Sequence, residues 1–537
     1  MNLLSKTASL EDSISSMQNA LQNIGAKYSL SHQKHPMEYC YSVNIASKEA
    51  PKHIYANGKG SCEKASLASA FGEYIERLQT NMFFSDFYLP NMKYFPDQKE
   101  INFGNDYLDD YLKTLYNPND ELYDEDMVDF NSDFEDKIIT LPFTEIATQS
   151  ITYFPINLLN TLYVSNGLAS GNSPKEAQVQ ALSEICERYV KIEIIKNGYS
   201  LPSYPKDIIN KFDKLSSSIK SLENAGYIID VLDASFEGKF PVTAISLINP
   251  NTSTLFVSFG AHPILEVALD RTMTELMQGR DLNNLDDFEI PTFDDSLVND
   301  SSNIESHYID SNGKLSFEFL SSKKTFKFTS WEYSGSNCDD EYLYLTNLIY
   351  ALDKKIYLRE YDYLGFYSCQ VIVPSFSEVY PIDDLIYNNK NRAKQIRSMI
   401  LNYQDIDSEE ILDAISALED TIDVGSYIGV IFETPFTLLE FKAQLYLSMR
   451  SFEEAKEILQ FSSNKIAKIV YELLIMKEQK KRFENYEDGL YKIFGQENVL
   501  KANDIIKGKD TLINLNFDSK YYNILDLYTK LSSKKSL

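Results

Sequence analysis

The sequence has little of several residue types, and each shortage excludes a class of protein. Glycine (20) and proline (17) are scarce among 537 residues, which excludes collagen-like and low-complexity chains. Only five cysteines occur, and none forms a C-x-x-C pair, so the sequence predicts neither a disulfide framework nor a zinc site. No apolar run reaches the length of about 18 residues that a membrane span needs, and the first residues lack the apolar core of a signal peptide. We therefore expect a cytoplasmic protein without membrane contact.

Positive charge is also in short supply. Lysine and arginine number 51 and aspartate and glutamate 79, which gives a net charge of −28. A surface of this sign repels the phosphate backbone of nucleic acids, so direct nucleic-acid binding is not expected. Most of the charge keeps the protein soluble, and it would also steer a basic protein partner towards the surface. Aromatic residues are plentiful at 13%, which is ample material for large cores.

The pattern along the chain predicts two domains. Residues 1–380 mix strand and helix signals and predict an α+β domain. Within it, residues 105–138 are crowded with Asp, Glu, Asn and Tyr and are predicted to be an exposed insertion. From residue 381 to residue 537 helical periodicity dominates, which predicts an all-α C-terminal domain. The clearest strand candidates are 227–232, 241–248, 254–259 and 370–373.

One helical pair in the C-terminal region has a recognisable spacing. Ala443, Tyr446, Ala455 and Leu459 lie at the small and large positions of a tetratricopeptide-like repeat. Only one such repeat is legible, so the alternative of an ordinary antiparallel helical pair has equal weight. Both interpretations predict two neighbouring helices here.

The most informative feature is an imperfect internal repetition of three units. Each unit has a glycine-bearing loop, then a predicted helix that carries the pattern E-x-x-[EQ], then an arginine. The units are GKGSCEKASLASAFGEYIER (58–77), SNGLASGNSPKEAQVQALSEICER (165–188) and FGAHPILEVALDRTMTELMQGR (259–280). A single E-x-x-E is most often a solvated helix face, but three copies in the same context favour a functional site.

The acidic pairs have the spacing of a metal-binding face. The pairs are Glu73 with Glu76, Glu184 with Glu187, and Glu275 with Gln278. Residues three apart lie on one face of a helix, and like charges at that spacing repel, so helix stability does not explain them. Hard oxygen ligands of this kind bind Mg²⁺, usually together with substrate phosphates. The sequence therefore predicts a magnesium site built from helices.

Glu176 has two interpretations. Ser173, Pro174 and Glu176 fit the N-cap, N1 and N3 positions of a helix, which makes Glu176 a capping-box glutamate. Glu176 also lies on the same helical face as Glu184 and Glu187, which makes it a third acidic group beside the predicted magnesium site. Both interpretations stay open at the level of spacing.

Other catalytic and nucleotide-binding motifs are excluded. The segment from Gly58 to Ser61 is not a P-loop, because the upstream glycine is missing and Gly60 replaces Ser or Thr. Neither a dinucleotide fingerprint nor a G-x-S-x-G elbow occurs, and the histidines show no metal spacing. His262 precedes Pro263 at a helix start and is predicted to be a cap rather than a catalyst.

At the three units the sequence resembles the YcaO family. The matching segments are KTASLEDSI (6–14), NGKG (57–60), ASAFGEYIERLQTN (68–81), LYVSNGLASGNS (162–173), EAQVQALSEICERYVK (176–191), SFGAHP (258–263), VALDRTMTELMQGR (267–280) and VIVPSFSEVYP (371–381). The likeness continues into the helical region and covers essentially the whole chain. It implies an α+β domain of mixed sheets that binds ATP without a P-loop, followed by an all-α, tetratricopeptide-like domain.

The resemblance also implies a ligand set. It makes ATP and Mg²⁺ the cofactors. The implied magnesium ligands are Glu73, Glu76, Asn172, Glu176, Glu184 and Glu187. The implied nucleotide contacts, mainly to phosphates, are Lys6, Ser13, Arg188 and Arg271. The resemblance assigns no catalytic residue and no role to Glu275, Gln278 or Arg280.

The implied activity is the use of ATP to activate a backbone amide by phosphorylating its oxygen. The implied role is that of an accessory factor for methylthiolation of an aspartate in a small-subunit ribosomal protein. Its partners would be that protein and a radical-SAM methylthiotransferase, and a homodimer is left open. Two alternatives stay open: thioamide or azoline formation on another peptide, and a non-catalytic adaptor controlled by ATP. Peptide-cyclising members end in Pro-x-Pro-x-Pro, whereas this chain ends SSKKSL, which argues against azoline formation.

Overall fold

The structure is a computed structural model that describes residues 3–50, 54–282, 285, 288–309 and 311–535. The strands are β1 Tyr28–Leu30, β2 Lys34–Met37, β3 Cys40–Ser47, β4 Tyr55–Gly60, β5 Lys99–Asn102, β6 Lys137–Glu145, β7 Ile151–Pro155, β8 Leu168–Gly171, β9 Ile228–Asp233, β10 Val242–Asn249, β11 Thr254–Ala261, β12 Tyr357–Tyr361 and β13 Tyr367–Ile372. All four strand candidates of the sequence are present, as β9, β10, β11 and β13.

The helices are α1 Leu10–Asn23, α2 Glu63–Gln79, α3 Asp110–Tyr116, α4 Ile156–Leu158, α5 Pro174–Asn197, α6 Lys206–Ile209, α7 Asp213–Asn224, α8 Leu265–Leu276, α9 Asp295–Val298, α10 Ser301–Ile309, α11 Cys338–Tyr350, α12 Asp384–Tyr387, α13 Arg392–Leu401, α14 Ser408–Ala414, α15 Val424–Ile428, α16 Leu438–Ser448, α17 Phe452–Leu459, α18 Lys465–Glu478, α19 Glu487–Phe494, α20 Gln496–Ile506 and α21 Ser519–Lys535. None of the described helices is both long and apolar enough to cross a lipid bilayer.

The strands form three sheets, and every pairing between them is antiparallel. In the first sheet β3 pairs with β1, β2 and β4. The second has the order β11-β10-β9, and the third has the order β5-β6-β12-β13-β8 with β7 paired to β6. The α+β class predicted for residues 1–380 is confirmed.

Each of the three repeated units is a strand followed by a helix. The units are β4 with α2, β8 with α5, and β11 with α8. Their helices interlock in a cycle, because the helix of each unit contacts the strand of another: α2 contacts β8, α5 contacts β11, and α8 contacts β4. In one of these contacts the hydroxyl of Ser170 donates to the carbonyl of Gly72 at 2.9 Å. The cycle brings the acidic faces of three distant segments into one region.

Most glycines of the repeated loops lie in the strands, although Gly167 lies in the turn just before β8. Gly58 and Gly60 belong to β4, and Gly260 belongs to β11. A Cβ atom on Gly58 would overlap the carbonyl oxygen of Ser66 in the following helix, so only glycine lets α2 pack directly against its own strand. The sequence pattern therefore marks close backbone packing, and the connecting loops are only two or three residues long.

The prediction that residues 105–138 are an exposed insertion is wrong. Leu112, Tyr116 and Met127 are buried in a core shared with β6, α4 and β12. The polar side chains of this segment satisfy backbone groups inside it: the Asn117 amide bonds both backbone groups of Leu122. Polar composition misled the prediction because these side chains replace water as hydrogen-bond partners.

The C-terminal region is all-α, as predicted, apart from isolated bridges. Helices α16 and α17 form the predicted pair, with Ala443, Ala455 and Leu459 buried between neighbouring helices. The last helix, α21, leaves this region. Its buried residues Ile524 and Tyr528 pack into the core formed by α1, α2 and the first sheet. The chain therefore returns to the N-terminal part before it ends.

Candidate functional site

Helix α5 begins where the sequence predicted. Ser173 is the N-cap, its side chain accepts a hydrogen bond from the backbone N–H of Glu176 at 3.3 Å, and Pro174 occupies the first helical position. This cap fixes the start of α5, whose first turn lies beside the N-terminal segment of the chain. The Glu176 carboxylate does not complete a capping box, because its described partners all lie elsewhere.

The carboxylate of Glu176 binds the N-terminal segment. The ammonium group of Lys6 lies 3.2 Å from one carboxylate oxygen, and the backbone N–H and hydroxyl of Thr7 donate to the other at 3.0 and 2.8 Å. The Asn172 amide donates to both oxygens, and its own oxygen accepts from Ser13 at 2.7 Å. Burial acts to raise the pKa of Glu176, but Lys6, Thr7 and Asn172 offset it and hold that pKa below its ordinary value.

The acidic pairs of α2 and α5 are arranged alike. In each pair the arginine one turn later folds back onto the first glutamate: Arg77 pairs with Glu73, and Arg188 pairs with Glu184 at 3.0 Å. The repeat E-x-x-E-R is therefore also a repeat of structure. It leaves the second glutamate of each pair without this neutralising partner.

The second glutamates are both removed from water, and Glu76 also lies among charges of its own sign. Removal from water, followed by the charges of Glu184 and Glu73, raises the pKa of Glu76 well above its ordinary value. Burial also raises the pKa of Glu187, although Lys59 opposes it. Glu187 accepts one backbone hydrogen bond, from the N–H of Ala261 at 3.2 Å. Glu76 thus faces charge of the same sign, whereas burial is the main cause at Glu187 and the cations Lys59, Lys191 and Arg271 oppose it.

Arg271 on α8 links the two groups of residues. Its guanidinium donates to the carbonyl of Ala261 at 2.9 Å and to the side chain of Gln180 on α5. Burial lowers the pKa of Arg271, while the nearby carboxylates of Glu187 and Glu341 favour its charged form. Arg271 therefore lies between the acidic pairs and the residues that bind the N-terminal segment.

The third unit differs from the other two. Glu275 forms an ion pair with Lys59 of β4, so its charge is neutralised across the cycle of units. Arg280 donates to the carbonyl of Leu276 at 3.0 Å and stacks over Phe256, with 4.4 Å between its guanidinium carbon and the ring centre. Arg280 therefore joins the end of α8 to the second sheet and does not face the glutamate pairs of α2 and α5.

The structure thus brings the predicted site residues into two adjoining groups. One group holds the N-terminal segment: Lys6, Ser13, Asn172 and Glu176. The other is the acidic cluster with its arginines: Glu73, Glu76, Glu184, Glu187, Arg188 and Arg271. Within the described ranges, no three His, Cys, Asp or Glu side chains already converge as the ligands of a metal ion.

The donor set nevertheless fits a divalent cation with phosphates. Glu76 and Glu187 are carboxylates largely removed from water, Glu76 beside Glu73 and Glu184, and Glu187 beside Glu184, and a cation would neutralise that charge. Arg188 and Arg271 supply planar donors of the kind that bind phosphate oxygens in pairs. Both requirements are met within one cluster of side chains.

Sequence reasoning missed several residues of this region. Lys59 lies at the start of the first repeated unit and was given no role, yet it bonds Glu275. Gln180 could have been found, because it lies four residues from both Glu176 and Glu184 on the same helical face. No local signal marked Glu341, which contacts Ser5 across 336 residues of chain. His262 does cap a backbone group, since its Nδ1 accepts from the N–H of Ile264 at 3.0 Å.

Known proteins resemble this chain over most of its length. A Haemophilus influenzae protein described as uncharacterized is 39% identical over 487 residues, covering 86% of this chain and 83% of its own. The Escherichia coli protein named "Ribosomal protein S12 methylthiotransferase accessory factor YcaO" is 40% identical over 430 residues, covering 77% and 73%. A solved heterocyclase in complex with substrate and cofactor aligns with a TM-score of 0.50 at 17% identity, over 71% of this chain and 55% of that one, which shows the fold alone.

Two family models match the chain in succession. Residues 57–377 match the YcaO cyclodehydratase family, described as ATP- and Mg²⁺-binding. Residues 393–535 match the YcaO cyclodehydratase C-terminal domain. The first match covers the three repeated sequence units and the whole acidic cluster. The chain therefore belongs to the YcaO family, whose central domain binds ATP and Mg²⁺.

Proposed function

We propose that the two adjoining groups together form the site for Mg²⁺ and ATP. The proposed magnesium ligands are Glu73, Glu76, Asn172, Glu176, Glu184 and Glu187. The proposed nucleotide contacts are Lys6, Ser13, Arg188 and Arg271. The observation that carries the proposal is the group of partly buried carboxylates formed by Glu73, Glu76, Glu184 and Glu187, beside basic groups that can bind phosphate.

The side chains of the site divide the work between them. Arg188 neutralises Glu184 at 3.0 Å, and this ion pair can open to release a carboxylate for a cation and a guanidinium for a phosphate. The ammonium group of Lys6 forms a similar ion pair with the Glu176 carboxylate at 3.2 Å, which can open in the same way. Mg·ATP, when bound, would supply the phosphoryl group that makes an amide oxygen a good leaving group. The protein contributes position and charge neutralisation.

Purified protein tests the metal assignment through Glu187→Gln. The change removes a charge but little volume, so the fold is retained while Mg²⁺-dependent ATP hydrolysis falls by about 100-fold or more, equivalent to about 2.7 kcal/mol of barrier. The matched control is Glu266→Gln, an exposed glutamate on α8 outside the cluster. Hydrolysis that is equal in both variants contradicts the assignment.

For the role in the cell, we propose an accessory factor for methylthiolation of an aspartate in a small-subunit ribosomal protein. The support is the 40% identity to the Escherichia coli protein of that name. The partners in this proposal are that ribosomal protein and a radical-SAM methylthiotransferase, and the location is the cytoplasm, where ribosomes are modified. Mass spectrometry of the ribosomal protein from cells with and without the gene tests it. Loss of the methylthio group without the gene is expected, and an unchanged mass contradicts the role.

A second candidate is ATP-dependent activation of a backbone amide in another peptide. The family description as a cyclodehydratase favours it. An adaptor that binds ATP without chemistry is the non-enzymatic alternative. ATP consumption that rises with a particular peptide favours the enzyme, and nucleotide binding without turnover favours the adaptor.

The oligomeric state is a separate question. Sedimentation velocity of the same samples decides between a monomer and a homodimer.

We also propose that nucleotide binding belongs to residues 1–380 and partner docking to residues 381–537. Every residue of the two groups precedes residue 381, and so does Glu341. The packing of α21 into the core of α1, α2 and the first sheet adds one condition: the N-terminal part needs this last helix for its stability, though not for its ligands.

A further inference from the structure

Ser5 occupies a buried polar slot beside the site. Its hydroxyl donates to a carboxylate oxygen of Glu341 at 2.6 Å and lies 2.9 Å from Nε2 of His262. The side chains of His262 and Glu341 are 0% and 2% exposed. Two buried polar groups from α11 and from the loop after β11 thus converge on one serine of the N-terminal segment.

The direction of these hydrogen bonds follows from the histidine. The backbone N–H of Ile264 donates to Nδ1 of His262 at 3.0 Å, so a neutral imidazole carries its proton on Nε2. Nε2 then donates to Ser5, and the Ser5 proton is left to point at Glu341. His262 therefore cannot accept the Ser5 proton, which excludes a nucleophile and general-base pair. The arrangement binds Ser5 without activating it.

The backbone of Ser5 is held in an unfavourable conformation. Its φ of 59° lies in the left-handed region, which residues with a Cβ atom seldom adopt. Such strain persists only where surrounding contacts determine it. Here those contacts are the two side-chain hydrogen bonds, together with the thiol of Cys338, which lies 3.8 Å from the Ser5 carbonyl oxygen.

The slot is continuous with the proposed phosphate contacts. Lys6 follows Ser5 directly and reaches Glu176 at 3.2 Å. Arg271 donates to the carbonyl of Ala261, the residue just before His262, at 2.9 Å. The turn that contains Ala261 and His262 therefore holds both Ser5 and Arg271, and Ser5 directly precedes Lys6. Arg271 and Lys6 are both proposed nucleotide contacts.

We propose that Ser5, His262 and Glu341 form a lock that fixes the N-terminal segment and so positions Lys6 for the phosphates of ATP. Ser5 is a positioning residue in this scheme, because it acts through Lys6. The inference rests on the proposed function of Lys6 as a phosphate contact. A contact organised before binding costs less order on binding, so the lock raises nucleotide affinity.

The test uses the full-length protein, Mg²⁺ and a non-hydrolysable ATP analogue. Isothermal titration gives affinities for the wild type, Ser5→Ala, Lys6→Ala and the double variant. Ser5→Gly separates the hydroxyl from the backbone, since glycine adopts positive φ freely but cannot bond Glu341. Ser15→Ala, an exposed serine on α1, is the matched control. Hydrogen exchange of the Thr7 amide, measured without nucleotide, reports on the segment itself.

We expect both Ser5→Ala and Ser5→Gly to weaken the affinity about tenfold, with circular dichroism unchanged. The double variant should bind no more weakly than Lys6→Ala, and Thr7 exchange should accelerate in both Ser5 variants. Unchanged affinity in the Ser5 variants, or losses that add in the double variant, overturns the lock while leaving the proposed function intact. A wild-type protein that does not bind the analogue overturns the proposed function and the lock together. An unaffected Lys6→Ala removes Lys6 from the proposed nucleotide contacts and overturns the lock, while the remaining residues of the proposed site stand.

Discussion

Arginine side chains divide each glutamate pair into two unlike members. Glu73 and Glu184 are paired with Arg77 and Arg188, whereas Glu76 remains among carboxylates without an ion pair in the described part of the chain. A protein gains no stability from such an arrangement, because like charges away from water repel. The electrostatic repulsion at Glu76 therefore destabilises the protein, and a bound cation would remove it.

Glu76→Gln should stabilise the protein in the absence of ligands. Because burial and the charges of Glu184 and Glu73 raise the pKa of Glu76 well above its ordinary value, replacing the carboxylate by a neutral amide removes that repulsion and should raise the melting temperature. The same change should abolish the additional stabilisation that Mg·ATP confers. Thermal unfolding with and without Mg·ATP checks both statements, and Glu266→Gln serves as the control. A lower melting temperature for Glu76→Gln without ligand contradicts the prediction.

His307 should make the fold sensitive to mild acid. Burial and the charge of Lys191 lower the pKa of His307 to about 4, whereas the unfolded chain holds it near the ordinary 6.5. Between these values the unfolded state binds a proton that the folded state does not, so stability falls as the pH falls. From pH 7 to pH 5 the loss should be about 2 kcal/mol.

His307→Gln checks this pH dependence. Glutamine keeps an N–H donor for the carbonyl of Lys314, which lies 3.2 Å from Nε2 of His307, but it does not titrate. Urea unfolding at the two pH values should show a smaller acid loss in the variant than in the wild type. Equal losses in the two proteins contradict the assignment of the effect to His307.

The recurring element of this fold is a strand whose glycine lets the next helix lie directly on it. In the first unit a Cβ atom on Gly58 would overlap the Ser66 carbonyl oxygen and the Ala70 backbone nitrogen. Both obstacles are backbone atoms, so no side-chain rotation can relieve the overlap. The helix carrying Glu73 and Glu76 therefore takes its position from a glycine.

Gly58→Ala should displace α2. The overlap predicts a loss of about 3 kcal/mol or more in stability, together with loss of nucleotide binding, because the acidic pair moves with the helix. The matched control is Gly489→Ala on α19, where an added Cβ meets nothing within 4 Å. That change should stabilise by about 0.5–1 kcal/mol. Urea unfolding of the two variants compares them, and a Gly58→Ala protein as stable as Gly489→Ala contradicts the close-packing account.

Over the whole molecule, the last helix joins the C-terminal region to the nucleotide-binding part. Tyr528 is fully buried, its ring lies 5.0 Å from that of Phe84 in an edge contact, and its hydroxyl donates to the Lys93 carbonyl at 2.9 Å. Near the end of the chain, Lys535 donates to Asn81 at 2.7 Å. The two parts should therefore unfold together.

Tyr528→Ala should destabilise the N-terminal part from a distance. The cavity predicts a loss of about 3–5 kcal/mol. The single tryptophan, Trp331, is buried and donates to the Pro263 carbonyl at 2.7 Å, so its fluorescence reports on the N-terminal part. The urea midpoint of this signal should fall in Tyr528→Ala and hardly change in Tyr522→Ala, whose side chain is 56% exposed on the same helix. An unchanged Trp331 midpoint contradicts coupled unfolding.

The sequence by itself determined the local features. Helical periodicity placed Glu176, Glu184 and Glu187 on one face of α5, and the Ser-Pro start predicted where that helix begins. Strand signals predicted β9 to β11, and the change of pattern near residue 381 predicted the all-α region. These features depend on neighbours within about one helical turn or a few strand residues, so a single sequence contains them.

Only the tertiary structure decided how these elements meet. It pairs Lys6 with Glu176 across 170 residues, assembles the three units into a cycle, and returns α21 to the N-terminal core. Composition even pointed the wrong way for residues 105–138, because buried amides and carboxylates there bond to the backbone instead of water. Such contacts depend on packing between segments that are far apart in the chain, and no periodic pattern encodes which of many compatible faces will touch.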